Sequence, residues 1–238
     1  MRVDGRSAEE MRKVKLTLDF SKFAEGSCLI EMGDTMVLCN ASVEERVPPH
    51  VQHGGWVTAE YSMLPRANRE RSKRDISKLK LAPRSAEIQR LIGRSLRSAV
   101  DLDLLGERTI TIDCDVLQGD GGTRTASVTG GFIALVLACR RLMAQGKLTK
   151  MPVRTFVSGI SAGIVRNEAL LDLCYEEDSR AAVDLNCIMT AEGEIIELQA
   201  TGEGRPFTVE EQKKLLHLCG KGNALLTQIQ HRCLGDLK

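Results

Sequence analysis

The chain has 238 residues, 42% of them hydrophobic and 27% charged, ordinary proportions for a globular protein with one large core or two fused halves. Aromatic residues make up only 3%, which argues against a surface built on rows of stacked bases, and the apolar runs read as too short to span a bilayer. The net charge of +1 hides a segregation: residues 66–97 hold eleven basic and three acidic side chains, so that window carries +8 and the rest of the chain −7, the footprint of a polyanion partner rather than of an acidic or apolar one.

In chain order, residues 1–6 show no signal-peptide core, and a cytoplasmic protein is expected. Residues 28–31 and 35–42 read as a hairpin turning at Met32-Gly33-Asp34. A loop over 47–55, with Pro48-Pro49 and Gly54-Gly55, leads into a strand over 56–61. Residues 66–80 are basic and patternless, and are expected to be mobile until an anion orders them. The spacing of Ile88, Leu91, Ile92, Leu96 and Ala99 predicts a helix over 85–100, with Ser85 as its N-cap and Arg90, Arg94 and Arg97 off the apolar face. Alternation of Ile110, Ile112, Cys114 and Val116 predicts a strand over 108–117, and residues 128–143 read as a buried helix. A second hairpin is expected from 156–165 and 168–175 about Arg166-Asn167, then strands over 182–190 and 195–200. A Thr208-x-x-Glu211 capping box starts the last helix, which Gly220 and Gly222 are expected to break before 225–233. The pattern gives an α+β fold in a single domain, 1–238. Two pseudo-repeats, about 1–147 and 148–238, pack around shared helices, with the 128–143 helix sandwiched between sheets.

The chemistry concentrates at Gln118-Gly119-Asp120-Gly121-Gly122-Thr123-Arg124-Thr125-Ala126-Ser127. A strand, a glycine loop and a helix start form an anion site: the glycines let backbone N–H groups approach a ligand, and the helix N-terminus adds positive potential. Arg124 and the hydroxyls of Thr123, Thr125 and Ser127 add donors. Neither Gly-Lys-Ser/Thr nor G-x-G-x-x-G follows, so a compact oxyanion such as free phosphate is expected rather than a nucleotide tail. Arg84, near a helix start, is a second arginine able to face this loop. Asp178, after Glu176-Glu177 at a strand end, and Asp184, on the polar face of the 182–190 strand, suit one Mg²⁺ ion, which takes few carboxylates plus waters; Asp113 and Asp115 are further candidates. No Ser-His-Asp set is placed. The eight cysteines lack C-x-x-C spacing, fall mostly in apolar patterns and, with four histidines at unrelated positions, point to buried thiols rather than zinc. An enzyme of this kind takes its nucleophile from solution, and phosphate would serve.

With these blocks in order, the chain resembles the ribonuclease PH family of phosphate-dependent 3′→5′ exoribonucleases. The resemblance runs nearly end to end. It includes Arg2 to Ser7, Gly33-Asp34-Thr35, Val57-Thr58-Ala59-Glu60-Tyr61, Met63-Leu64-Pro65-Arg66, Glu87 to Arg94, Asp113 to Gln118, Asp120 to Ser127, Gly163-Ile164-Val165 and Glu177-Asp178-Ser179. It implies a duplicated βαβα fold and a homohexamer built as a trimer of dimers. It also implies release of nucleoside diphosphates from RNA 3′ ends, with the reverse tRNA nucleotidyltransferase reaction. Precursor tRNA trimmed towards CCA is the implied substrate, and ribosomal RNA is left open. The family's phosphate ligands fall on Arg84, Gly122, Thr123 and Arg124, its metal-associated aspartates on Asp178 and Asp184, catalysis on these two with Arg124, and its tRNA-binding arginines on Arg66, Arg69, Arg71 and Arg74. Gly119 stands for the usual Ala, Leu185 for Met, and Ala182 for a common Glu, which puts that last carboxylate's role in doubt. A non-catalytic RNA-binding ring subunit and a hydrolytic nuclease are the alternatives; the retained phosphate and metal positions weigh against the first.

Overall fold

A computed structural model describes residues 2–74 and 82–237. The first sheet joins β1 (Val14–Leu18), β2 (Gly26–Met32), β3 (Thr35–Glu44), β4 (Trp56–Met63) and β5 (Thr109–Gln118) in the order β1-β2-β3-β5-β4. The second joins β6 (Val157–Val165), β7 (Glu168–Leu171), β8 (Val183–Thr190) and β9 (Ile195–Gly202) in the order β7-β6-β8-β9. The helices are α1 (Pro83–Ser98), α2 (Leu102–Leu105), α3 (Thr123–Ala144), α4 (Tyr175–Asp178) and α5 (Val209–Leu234). This is the mixed α+β architecture expected.

Each sheet contains a two-residue hairpin. Met32 pairs with Thr35 across Gly33 at φ +56°, and Val165 pairs with Glu168 across Arg166 and Asn167, both at positive φ. The sheets then diverge. β4 runs parallel to β5, with α1 as the crossover, whereas the second sheet is antiparallel throughout.

Helix α3 lies between the sheets, as its apolar sequence predicted. Gly130 and Gly131 let it approach the first sheet: a Cβ on Gly130 would meet Ile30 at 2.7 Å and Cys39 at 2.9 Å. On its other side the Thr129 hydroxyl accepts from Gly159 N–H of β6 at 3.1 Å. Helix α3 starts at Thr123, five residues before the expected 128, and is longer than the apolar run expected from the sequence. At 22 residues it reaches the length and composition of a bilayer span, but burial between two sheets accounts for its character.

Four other boundaries are corrected. Helix α1 starts at Pro83, a residue suited to the first helical position, after an extended Ala82; Ser85 is buried in the first turn and is not the cap. Strand β7 stops at Leu171 because Asp172 takes φ +53°. The acidic run after it forms the single helical turn α4 rather than closing a strand. Helix α5 continues unbroken through Gly220 and Gly222; at Gly222 a Cβ would meet Ile160 at 2.6 Å, so this glycine is a packing contact, not a breaker. The Thr208 capping box is present. Seven cysteines are buried as free thiols and Cys233 is exposed.

Of the basic segment read as mobile, residues 75–80, including Lys78 and Lys80, lie outside the described residues. The described portion is anchored: Ala67 is buried and its carbonyl accepts from Gly119 N–H at 2.8 Å, which ties the base of the segment to the glycine loop.

Candidate active site

The alternation of β5 sends Ile110, Ile112, Cys114 and Val116 into the core and delivers the chain to the loop at its end. There Gly121 (φ +76°) and Gly122 (φ +64°) take left-handed conformations that reverse the chain into α3. A Cβ on Gly121 would lie 2.5 Å from the Leu173 carbonyl oxygen, so this position admits only glycine without displacing the loop. Gly122 occupies the N-cap with no side chain capping the helix, and Ala126 N–H makes the bond back to the Gly122 carbonyl. The N–H groups of the first turn therefore point out of the helix end.

The loop is clamped from behind by residues to which the sequence assigns no role, Arg12 and Asp172 foremost. The buried Arg12 guanidinium donates to the Asp120 carbonyl, to the Gly121 carbonyl at 3.4 Å, and to both oxygens of the Asp172 carboxylate at 3.0 and 2.7 Å. Burial alone would depress the Arg12 pKa, but Asp172 holds it above the ordinary value. The Thr35 hydroxyl donates to the Gly121 carbonyl at 2.7 Å and accepts from Asp120 N–H at 3.0 Å. With its carbonyls held inward, the loop turns its N–H side to the pocket. Arg2 braces the floor of α4, pairing bidentately with the buried Glu177 at 2.8 and 2.7 Å. The only sequence signal for this clamp was the arginine-rich start, Arg2, Arg6 and Arg12, because its partners lie about 100–175 residues away.

A pocket of about 340 Å³ opens in front of the loop. Arg84 from α1, Gly122, Thr123 and Arg124 from the start of α3, Asp178 from α4 and Asp184 from β8 all line it, so the phosphate and metal positions implied by the family resemblance converge there. Arg124 is held by Gln199 of β9, whose Oε1 accepts from Nη1 at 2.6 Å, with Glu87 of α1 at 3.9 Å. Two expected donors are withdrawn. The Thr125 hydroxyl donates to the Gly122 carbonyl at 2.9 Å and that of Ser127 to the Thr123 carbonyl at 2.8 Å, so both serve the helix backbone. The Thr123 hydroxyl shares a 2.9 Å bond with the buried Tyr61.

Asp113 and Asp115 do not reach the pocket; they lie with Glu60 on the face of the first sheet opposite α3, where burial and Glu60 push Asp113 up to about 6. Glu203 does line the pocket. Its N–H bonds the carbonyl of Ala182 at 3.0 Å, so a carboxylate from β9's end comes beside the position where a glutamate was missed. Arg66, Arg69, Arg71 and Arg74 are exposed on the segment tied to the loop, and Arg69 lies 5.9 Å from the ring centroid of Tyr175.

Burial, then the neighbouring Asp178, pushes the Asp184 carboxyl up to about 6, against the pull of Arg124. Burial also raises Asp178, while Arg84, Arg124 and Arg12 oppose the rise. Asp184 Oδ2 accepts from Asn186 at 2.9 Å, but its buried Oδ1 has no partner among the described residues. A raised carboxyl pKa means that its stabilising contribution is complete below the ordinary 3.8 and is lost as pH rises through about 6. In metal-free solution Asp184→Asn is therefore expected to be more stable than the wild type above that window, by on the order of 2 kcal/mol, and equal to it below. Urea midpoints on either side of the window check this; a difference independent of pH would contradict it.

The models of the 3′ exoribonuclease family match this chain over residues 10–140 for domain 1 and 155–222 for domain 2. Ribonuclease PH of Moorella thermoacetica is 52% identical over 239 residues, covering 100% of this chain and 96% of that protein. In fold, the chain is similar to a subunit of the Archaeoglobus fulgidus exosome with RNA bound to the active site (TM-score 0.82, 24% identity, 96% and 92% coverage of the two chains). It is likewise similar to rice Rrp46 (TM-score 0.77, 17% identity, 100% coverage of both chains). The glycine loop and its facing acids thus sit in a matching framework from end to end, and the chain belongs to the 3′ exoribonuclease family.

Proposed function

We propose that this chain is a phosphate-dependent 3′→5′ exoribonuclease that trims precursor tRNA towards CCA and releases nucleoside diphosphates. One observation carries the reading. Arg84, Arg124 and the uncapped N-terminus of α3 converge on one side of a pocket whose other side holds Asp178 and Asp184. The cationic side fits an inorganic oxyanion, and among the described residues the lining contains no histidine to activate Ser161 or Ser179 as a nucleophile. An oxygen of hydrogen phosphate forms a bond to the phosphorus of the terminal phosphodiester, and the bond from that phosphorus to the 3′ oxygen of the preceding nucleotide breaks. The proton of hydrogen phosphate ends on that departing oxygen, which leaves the shortened RNA with a 3′-hydroxyl. Arg84 and Arg124 orient the nucleophile and offset the charge that crowds the pocket as two anions meet.

Mg²⁺ fits the acidic side. Asp178 and Asp184 share the pocket, and Asp184 Oδ1 is a buried acceptor left unpaired among the described residues. No group of three histidine, cysteine or acidic side chains forms a cage among the described residues, in keeping with an ion that takes one or two carboxylates and keeps waters. Bound by these two residues, Mg²⁺ would supply positive charge to the phosphodiester under attack. Arg66, Arg69, Arg71 and Arg74 are assigned to the RNA backbone, and the anchoring of their segment to Gly119 supports a role beside the pocket. The reading extends to a cytoplasmic homohexamer, a trimer of dimers; Phe20 and Phe23, both exposed on the β1–β2 loop, offer apolar surface to a neighbouring copy.

Incubation of a short RNA with Mg²⁺, with and without phosphate, tests this. The expected products are nucleoside diphosphates formed only when phosphate is present. Monophosphates appearing without it would replace the reading with hydrolysis, and an inert mixture would favour a non-catalytic RNA-binding subunit.

A further inference from the structure

Tyr175 is one of only two tyrosines in the chain, and it is 49% exposed. Single exposed aromatics are common, so its placement rather than its exposure carries weight. It opens α4, three residues before Asp178, and residues three apart share one side of a helical turn. It therefore sits one helical turn ahead of a carboxylate that lines the pocket. Its backbone is fastened to the glycine loop: Tyr175 N–H donates to Asp120 Oδ1 at 3.2 Å, and a Cβ on Gly121 would lie 3.0 Å from Tyr175 N. Opposite it, the Arg69 guanidinium lies 5.9 Å from the ring centroid, brought there by the basic segment that Ala67 and Gly119 anchor. A flat apolar surface, a guanidinium across it and the pocket's glycine loop are thus joined.

We propose that the Tyr175 ring is the stacking platform for a nucleobase at the 3′ end of the RNA, with Arg69 closing against the same stack. This rests on the phosphorolytic reading, since a phosphodiester seated in the pocket presents its flanking bases at the rim. Every base has a π-face, so one platform serves all four, as removal of successive nucleotides requires. The low aromatic content excludes a row of such platforms; one beside the scissile bond is sufficient.

The test compares Tyr175→Ala, Tyr175→Phe and Tyr175→Trp with the wild type on a short oligoribonucleotide. Tyr175→Ala is expected to raise KM for the RNA about tenfold, with KM for phosphate and thermal midpoint unchanged, while the Phe and Trp variants keep wild-type values. An oligonucleotide carrying one abasic residue near its 3′ end should bind the wild type more weakly at one position, and at that position Tyr175→Ala should lose nothing further. Unchanged KM in Tyr175→Ala, equal loss in Tyr175→Phe, or a rise in KM for phosphate instead would each overturn the proposal. Fluorescence anisotropy of the labelled oligonucleotide without phosphate reads the stack independently of turnover, so failure of phosphorolysis in the wild type is distinguishable from failure of the platform.

Discussion

Replacing Arg124 by alanine lowers kcat/KM for phosphorolysis by about 100- to 1,000-fold, the scale of losing one preorganised charged donor from a site where negative charge accumulates. The side chain is only 16% exposed, and its guanidinium is fixed by Gln199 at 2.6 Å, with Glu87 at 3.9 Å. In the proposed reaction it orients the attacking oxyanion, and it also opposes the burial that raises Asp178 and Asp184. Its removal has two separable consequences. Saturation by phosphate weakens, and Asp184, already pushed up to about 6, rises further, so the acidic limb of the pH–rate profile moves to higher pH. Arg124→Lys keeps the charge but not the planar fork, and recovers the pH limb more fully than the phosphate affinity. Steady-state kinetics over phosphate and pH check both; near-normal turnover in Arg124→Ala would remove this residue from the site.

Arg12→Ala is expected to cost about 3–5 kcal/mol of folding stability, because it leaves the Asp172 carboxylate, 1% exposed, without its bidentate partner. Arg6, 3.5 Å from the same carboxylate, offsets part of the loss. The double variant Arg12→Ala/Asp172→Ala should be more stable than the sum of the single changes, since no charge is then stranded. The same change releases the Asp120 and Gly121 carbonyls, so the folded fraction should need more phosphate for half-saturation. Urea unfolding of the two single variants and the double variant measures the coupling; a loss below about 1 kcal/mol would show that Arg12 does not hold the loop.

Legibility in the sequence followed the range of the physics. The β5 alternation, the apolar α3 and the Thr208 capping box are set by neighbours a few residues apart, and each was readable. The convergence of Arg84, Arg124, Asp178 and Asp184 joins α1, α3, α4 and β8; residue chemistry suggests each of them and the family resemblance strengthens the set, but neither spacing nor periodicity places all four together. The errors share a cause. Ser85 was given a cap's role on its residue type, when Pro83 had already fixed the helix start. Thr125 and Ser127 were counted as phosphate donors on their hydroxyls, when α3 turns both onto its own carbonyls. Gly220 and Gly222 suggest a break by residue type, but close packing on Ile160 makes Gly222 useful inside α5. The Arg12–Asp172 clamp spans 160 residues and stayed hidden for that reason.

In the proposed reaction free phosphate supplies the attacking oxygen. Trimming a short RNA in radiolabelled orthophosphate tests this most directly: the label is predicted to appear in the β-phosphate of the released nucleoside diphosphates, one per nucleotide removed. Unlabelled nucleoside monophosphates, with all the label still in orthophosphate, would contradict it.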